Sequence, residues 1–247
     1  MDLEARIRRK VGAALRAHRM IEPGDRVLVA VSGGTDSSAM ARILAEKRRT
    51  LPIRFELTGC HVVTDLFPRN EDGEAWLDAF FSSIDVPLVR VFVEARRYLP
   101  AGKQLGCFFC AMQRRKALIA EAEARGFTKI AFGHHLDDII ETLFLNMIHG
   151  GAIAGMPVRL ELDDHPLTIV RPLCRVKERE IKELARSAGL VSAEQRCGLG
   201  RDGRRARVKK AIADLAAGDD RVRDNLLASL GRVRADYLVE RLRRPRR

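Results

Sequence analysis

The most constraining feature of the chain is an apolar strand that runs directly into a turn rich in glycine and serine. Residues 26–31 are Arg-Val-Leu-Val-Ala-Val, and the turn Ser32–Ser38 follows with no polar loop between them. A short run that is apolar on both faces is typical of a strand buried inside a parallel sheet. Such sheets are covered by helices and bind ligands at the carboxyl ends of their strands. The segment therefore predicts an α/β fold with a ligand site at this turn.

Further strands and helices alternate after the turn. Alternation through five strands predicts an open parallel sheet with helices on both faces. We expect residues 1–22 to form an N-terminal helix, residues 23–190 the sheet domain, and residues 191–247 a basic, helical C-terminal extension. The other strands are predicted within 53–64, 87–94, 129–132 and 167–170, and the other helices within 35–49, 71–83, 111–125, 137–149 and 177–188.

The turn itself has the composition of a phosphate-binding loop. Gly33 and Gly34 let the backbone approach a ligand closely, and the amides that start the next helix offer an anion site. Ser32 and Ser37 add hydroxyl donors, and Asp36 fits as a ligand of Mg²⁺ or of its bound water. The Gly-Lys-Ser/Thr ending of a P-loop and the Gly-x-Gly-x-x-Gly fingerprint are both missing. The alternative is an ordinary tight turn capped by Ser and Asp.

A second polar segment, Gly133–Thr142, follows the fourth predicted strand and opens the next helix. Its carboxylates, including Asp137 and Asp138, would lie at a helix N-terminus, where negative charge is favourable. The adjacent histidines His134 and His135 add possible zinc ligands, but their spacing matches no standard zinc signature. The residues by themselves leave helix capping and a ligand site equally open.

The chain has five cysteines, which in a sequence without a secretory signal favours metal, cluster or thiol chemistry over disulfides. Cys107 and Cys110 form a Cys-x-x-Cys pair, followed by a helix whose three consecutive basic residues would stabilise thiolates. A redox dithiol and half of a zinc site stay open as alternatives. An iron–sulfur cluster needs a third ligand, for which Cys197 is the candidate. Cys60 and Cys174 are better explained as small buried residues.

Positive charge is concentrated at the C-terminal end. Residues 196–247 carry 16 Lys and Arg against 7 Asp and Glu, so they hold +9 of the total charge of +12. A surface of this kind suits nucleic acid, because phosphate neutralisation releases counterions. An arginine-rich, solubilising tail is the alternative. No apolar run approaches the length of about 20 residues that a membrane span needs, and the charged N-terminus is unlike a secretory signal, so we expect a cytoplasmic protein.

These motifs together resemble the PP-loop family of N-type ATP pyrophosphatases, whose loop has the pattern Ser-Gly-Gly-x-Asp-Ser. The Cys-x-x-Cys pair and the Gly-His-His-x-Asp-Asp segment narrow the resemblance to the tRNA 2-thiocytidine synthetase (TtcA) family, over residues 20–215. The resemblance implies an adenine nucleotide alpha hydrolase-like fold. It also implies an ATP-dependent tRNA sulfurtransferase, which adenylates C2 of the cytidine at position 32 in the anticodon loop and replaces its oxygen with sulfur. Thr35 stands where many members of the PP-loop family have Lys.

The same resemblance implies ATP, Mg²⁺ and a [4Fe-4S] cluster as cofactors and tRNA as the partner. It further implies a sulfur donor, either a cysteine desulfurase or free sulfide, and a possible homodimer. The catalytic residues would be Asp36 and Asp138 with three cysteines. The residues that the resemblance assigns to ATP binding are Ala30, Ser32, Gly33, Gly34, Asp36, Ser37, Val63, Gly133, His134 and Asp138. Asp36 and Asp138 would also bind Mg²⁺, and the cluster ligands would be Cys107, Cys110 and Cys197. The residues that would contact the tRNA backbone are Arg204, Arg205, Lys209 and Lys210.

Three other functions compete with this one. A tRNA lysidine synthetase shares the PP-loop but needs no cysteines, and the cysteine pair argues against it. The related 2-thiouridine synthetases carry zinc-binding Cys-x-x-Cys modules that this sequence lacks, which favours the 2-thiocytidine branch. A nucleotide- and cluster-binding sensor without turnover is the third, and the acidic pair Asp137 and Asp138 argues for chemistry instead.

Overall fold

The computed structural model describes residues 2–100, 102, 104–195 and 203–238. From residue 3 to residue 150, strands and helices alternate as the sequence predicts. The strands are β1 (Arg26–Val31), β2 (Glu56–Thr64), β3 (Leu88–Val93), β4 (Lys129–Ala131), β5 (Arg159–Glu161) and β6 (Thr168–Val170). The helices are α1 (Leu3–Ala17), α2 (Thr35–Thr50), α3 (Glu71–Ser83), α4 (Cys107–Ala124), α5 (Leu136–Gly150), α6 (Glu178–Ser187), α7 (Gly203–Ala216) and α8 (Asp220–Ser229), with 3₁₀ turns at Ala95–Tyr98 and Ala235–Tyr237.

The six strands form one sheet in the order β3-β2-β1-β4-β6-β5. All neighbouring pairs are parallel except β5 and β6. The chain builds outward from β1 in one direction through β2 and β3, and in the other through β4 and β6. The order of the strands therefore reverses between β1 and β4, and a crevice for ligands is expected at the carboxyl ends of these two strands.

The sheet contains one more strand than the sequence predicts. β5 pairs antiparallel with β6, with Leu160 opposite Ile169, and lies at the edge of the sheet. It has three residues, two of them exposed, so it lacks the apolar run that reveals a buried strand. The five parallel strands are those that the alternation of apolar segments predicts.

The core lies between the sheet and its helices. Every residue of β1 after Arg26 is buried, as expected for a central strand covered on both faces. On α1, Ile7 and Val11 are fully buried, while Arg6 and Lys10 donate to the buried carboxylate of Glu180 on α6 at 3.1 and 2.7 Å. The N-terminal helix is therefore attached to α6 by packing and by ion pairs.

The chain divides into two compact units. The first comprises Met1–Leu136 and Pro157–Gly203, and it contains the whole sheet with α1 to α4 and α6. The second comprises Asp137–Met156 and Arg204–Arg247, with α5, α7 and α8. The domain boundaries expected near residues 22 and 190 stay predictions. No helix in the described part of the chain is long and apolar enough to cross a membrane.

Candidate functional site

Hydrogen bonds that involve serine hydroxyl groups hold the turn after β1. Gly33 has a φ of +90°, which glycine adopts readily and other residues rarely do. The Oγ of Ser32 accepts a hydrogen bond from the Gly34 amide at 3.1 Å, and the Oγ of Ser37 donates to the Gly34 carbonyl at 2.8 Å. Helix α2 begins directly after Gly34, its N-cap. Amide and hydroxyl donors are therefore concentrated at the start of α2, where an anion is favoured.

The segment after β4 lies against the start of α2. A Cβ atom on Gly133 would come within 3.2 Å of the Ser37 backbone, so a side chain at this position would crowd the helix. His135 is 5% exposed, and its Nε2 lies 3.9 Å from Oδ2 of Asp36. His134 stacks on Phe132 with ring centroids 5.6 Å apart. The fold thus brings two of the predicted motifs together at the carboxyl ends of β1 and β4.

A short segment, residues 193–195, covers the glycine turn, and we call it the strap. The Ala193 amide donates to the Gly33 carbonyl at 2.7 Å. Asn70, the N-cap of α3, donates from its side chain to the Glu194 carbonyl at 3.1 Å. The sequence does not predict the strap, because three irregular residues have no hydrophobic periodicity. The turn is therefore held on one side by a segment that is distant in sequence.

Replacing Gly33 with alanine tests the contact between the turn and the strap. A Cβ on Gly33 would lie 2.8 Å from the Ala193 carbonyl carbon and oxygen. We expect Gly33→Ala to lower the free energy of unfolding by about 3 kcal/mol, of which roughly 1–2 kcal/mol comes from the strained φ angle. Gly24→Ala is the matched control, because Gly24 has a φ of +83° but nothing lies within 4 Å of an added Cβ.

Chemical denaturation of both variants separates these two contributions. A larger loss of stability in Gly33→Ala than in Gly24→Ala measures the clash with Ala193. Equal losses would contradict the contact, since both variants share the strain of a positive φ angle.

The paired cysteines lie in the first turn of α4. The helix begins at Cys107, four residues earlier than the sequence predicts, because the Gly106 carbonyl accepts the Cys110 amide at 3.2 Å. Cys107 is exposed and Cys110 is half-buried. Residues three apart share one side of a helix, and the helix N-terminus favours negative charge. The two sulfur atoms are thus placed to act as thiolate ligands on the same side of α4.

Two other cysteines are buried, as the sequence predicts. Burial raises the pKa of the Cys60 thiol to about 12 and that of Cys174 to about 11. Neither is a thiolate at neutral pH, which disfavours both as metal ligands. Cys197 lies outside the described residues. Among the residues that are described, no group of three or more His, Cys, Asp or Glu side chains could hold a metal ion.

Two predicted nucleotide-binding residues lie within the sheet. Ala30 of β1 pairs with Cys60 and is 8% exposed, and Val63 of β2 pairs with Phe92 and is 4% exposed. β1 ends opposite His61, so Val63 lies beyond its end. Burial lowers the pKa of His61, so this imidazole is neutral at pH 7 and donates from Nδ1 to the carbonyl of the last β1 residue at 2.9 Å. Both strand ends therefore border the glycine turn.

The second unit contains the acidic start of α5. Arg205 of α7 donates to Oε2 of Glu141 at 2.9 Å and to Oδ1 of Asp138 at 3.4 Å. Burial raises the pKa of Glu141, although the hydrogen bond from Arg205 opposes the rise. Arg223 of α8 donates to Oδ1 of Asp137 at 2.9 Å. These carboxylates therefore attach α7 and α8 to α5, whatever further role they have.

Helix α7 has a buried apolar side and an exposed basic side. Val208, Ile212 and Ala216 recur every four residues and are buried. Lys210 forms an ion pair with Asp214 at 2.6 Å, one turn further along. All four residues that the sequence assigns to nucleic acid are exposed on this helix: Arg204, Arg205, Lys209 and Lys210.

Known proteins share both the sequence and the fold. A family model described as a PP-loop domain matches residues 3–216. The tRNA-cytidine(32) 2-sulfurtransferase of Anaeromyxobacter sp. (strain Fw109-5) is 36% identical over 244 residues, covering 97% of this chain and 79% of that protein. The protein of the same name from Cellvibrio japonicus (strain Ueda107) is 40% identical over 193 residues, covering 76% of this chain and 62% of that protein. This chain thus spans only part of each relative's length.

Solved structures show the same fold at lower identity. The U34-tRNA thiolase of Methanococcus maripaludis, solved with its [4Fe-4S] cluster, has a TM-score of 0.78 at 22% identity, covering 93% of this chain and 79% of that chain. The NMN synthetase of Francisella tularensis has a TM-score of 0.56 at 10% identity. The predicted α/β fold with a parallel sheet is confirmed by the first of these likenesses and by the strand order described above.

Proposed function

The chain belongs to the PP-loop family, among relatives named tRNA-cytidine(32) 2-sulfurtransferase, and on this basis we propose that it is an ATP-dependent tRNA sulfurtransferase. Its substrate is a tRNA cytidine, at position 32 of the anticodon loop, whose C2 oxygen is replaced by sulfur. The observation that carries the proposal is that two accessible cysteines lie in the first turn of α4, in a chain whose sheet also carries the glycine turn suited to phosphate.

The first half of the reaction is adenylation. The C2 oxygen of the cytidine attacks the α phosphate of ATP, and pyrophosphate leaves. The turn from Ser32 to Ser37 holds the phosphate oxygens, because the Ser32 hydroxyl accepts from the Gly34 amide and keeps its own hydrogen to donate, beside the first amides of α2. The resemblance assigns Mg²⁺ to Asp36 on α2 and to Asp138 on α5. Bound Mg²⁺ neutralises charge on the leaving pyrophosphate.

The second half replaces the adenylated oxygen with sulfur, and AMP leaves. The residues present fit a cluster, because Cys107 and Cys110 supply two accessible thiols on one side of α4, whereas Cys60 and Cys174 are buried. Cys197 is proposed as the third ligand. Held by these three cysteines, a [4Fe-4S] cluster would supply an iron that binds the sulfur to be transferred. The start of α4 stabilises the two thiolates with its first-turn amides.

The macromolecular partner is tRNA, and α7 is the proposed contact. Its exposed basic residues, from Arg204 to Lys210, are spaced to follow a phosphate backbone. Arg205 also binds Glu141 and Asp138, so we expect it to contribute less to tRNA affinity than its exposure alone would indicate. We propose a cysteine desulfurase or free sulfide as the sulfur donor. We also propose that the protein acts in the cytoplasm and that it forms a homodimer.

Iron and sulfide analysis combined with pyrophosphate release tests this function. After anaerobic reconstitution we expect about four iron and four sulfide per chain, and pyrophosphate release that tRNA stimulates. Stimulated release without any cluster would support an enzyme of the lysidine type instead. A cluster without pyrophosphate release, with or without tRNA, would support a sensor.

A further inference from the structure

The end of β2 presents backbone groups for which the sheet supplies no partner. Alternate residues of a strand direct their amide and carbonyl groups to opposite sides. Asp65 donates its amide to Val93 of β3, so Thr64 directs its own groups to the β1 side. β1 ends at Val31, opposite His61, and therefore does not reach Thr64. Thr64 is 1% exposed, and a buried peptide group without a partner is costly.

The side-chain amide of Gln195 supplies the hydrogen-bond partner that β1 does not provide for Thr64. Its Nε2 donates to the Thr64 carbonyl at 3.2 Å, and its Oε1 accepts from the Thr64 amide at 3.4 Å. The same Nε2 lies 3.3 and 3.4 Å from the carbonyl oxygens of Phe67 and Pro68. The primary amide has one acceptor and two donor hydrogens, so it substitutes for a peptide group and extends the ladder beyond the end of β1.

Gln195 is also bonded to the helix that carries the cysteine pair. Its Oε1 accepts a hydrogen bond from Nη2 of Arg114 at 2.8 Å. Arg114 lies one turn after Cys110 on α4, and Gln195 is 8% exposed. A hydrogen bond from a charged donor is stronger than a neutral one, and shielding from water strengthens it further. One buried side chain therefore joins the strap, the end of β2 and α4.

We propose that Gln195 is a positioning residue that fixes the start of α4, which carries Cys107 and Cys110, against the end of β2 and the strap, on the premise of the proposed function, in which these two cysteines are cluster ligands. Because Gln195 bonds both to Thr64 and to Arg114, it limits movement of the part of α4 that supplies the two thiols. The anchor reduces the conformational entropy that the two thiols would lose on binding a cluster.

Gln195→Met tests the proposal, because it keeps the length of the side chain and removes every hydrogen bond that the amide makes. In the reconstituted protein we expect iron release to an excess of chelator to be about tenfold faster than in the wild type. In the cluster-free protein we expect faster deuterium exchange in the peptide that contains residues 190–195. Gln195→Glu keeps an acceptor for Arg114 but not the donor to the Thr64 carbonyl, so we expect an intermediate rate of iron release.

Thr128→Val is the matched control. Thr128 donates to Asp25 at 2.8 Å and accepts from the Arg26 amide at 3.1 Å, at the amino ends of β1 and β4. Its loss is expected to lower the melting temperature without changing the rate of iron release or the exchange of residues 190–195.

Two outcomes would count against different claims. The positioning role is wrong if Gln195→Met releases iron no faster than Thr128→Val and exchanges its strap peptide at the wild-type rate. If the wild-type protein takes up no cluster, the proposed function fails instead. The exchange experiment then still decides whether Gln195 anchors the strap, since it uses the cluster-free protein.

Discussion

Asp36→Asn is expected to stop most of the ATP-dependent chemistry while leaving the protein folded. Asp36 lies in the first turn of α2, directly after the glycine turn, and its side chain is 42% exposed. The amide of asparagine keeps the shape of the carboxylate but not the charge that a hard cation such as Mg²⁺ prefers. We expect tRNA-stimulated pyrophosphate release to fall by about 100-fold or more, which corresponds to about 3 kcal/mol of lost transition-state stabilisation.

Pyrophosphate release under saturating ATP, with thermal melting as a check on folding, measures this effect. Asp78→Asn is the matched control, because Asp78 is an exposed carboxylate on α3 that pairs with Arg90 at 2.8 Å. We expect the control to keep wild-type turnover. An Asp36→Asn variant with wild-type release would contradict the assignment of Mg²⁺ to this residue.

Cys110→Ser is expected to remove thiolation without removing adenylation. Cys110 lies in the first turn of α4 and is half-buried, and a serine hydroxyl does not replace a thiolate as a cluster ligand. We expect thiolated product to fall below about 1% of the wild-type amount, because a cluster left with only two cysteine ligands is lost from the protein. Pyrophosphate release should stay within about twofold of the wild type, since the glycine turn is unchanged.

The two assays on one preparation separate the halves of the reaction. Cys174→Ala is the control, because this buried thiol, with a pKa raised to about 11, is not available as a ligand. It should keep its cluster and its product. Full thiolation by Cys110→Ser would rule out the cysteine pair as the sulfur-carrying site, and equal loss of pyrophosphate release would show that the halves are not separate.

The sheet is predictable from the sequence because its central strands carry strong local signals. β1 is apolar at every position after Arg26, and the sequence predicts its bounds without error. The helix Glu71–Ser83 is equally well predicted, with Asn70 capping its start. β5 is missed, since a three-residue edge strand with exposed side chains is stabilised by pairing and not by its own composition.

The candidate site is predictable where short motifs carry it and not where distant segments meet. The sequence places the glycine turn and the segment at Gly133 at the carboxyl ends of two strands, and the fold makes these strands neighbours and brings the two segments into contact. Gln195 has no such signal. Its role arises because β1 ends before it reaches Thr64, so the backbone groups of Thr64 bond to the Gln195 side chain instead. The early start of α4 is also a matter of context, set by the extended backbone of Gly106.

The most direct test of the central claim is mass spectrometry of nucleosides from tRNA incubated anaerobically with the reconstituted protein, ATP, Mg²⁺ and sulfide. We expect 2-thiocytidine, formed only when ATP is present and absent with Cys110→Ser. Formation of 2-thiouridine would keep the mechanism and contradict the choice of base. Unmodified tRNA, from protein that holds a cluster and releases pyrophosphate, would contradict the assignment of this chain as a tRNA sulfurtransferase.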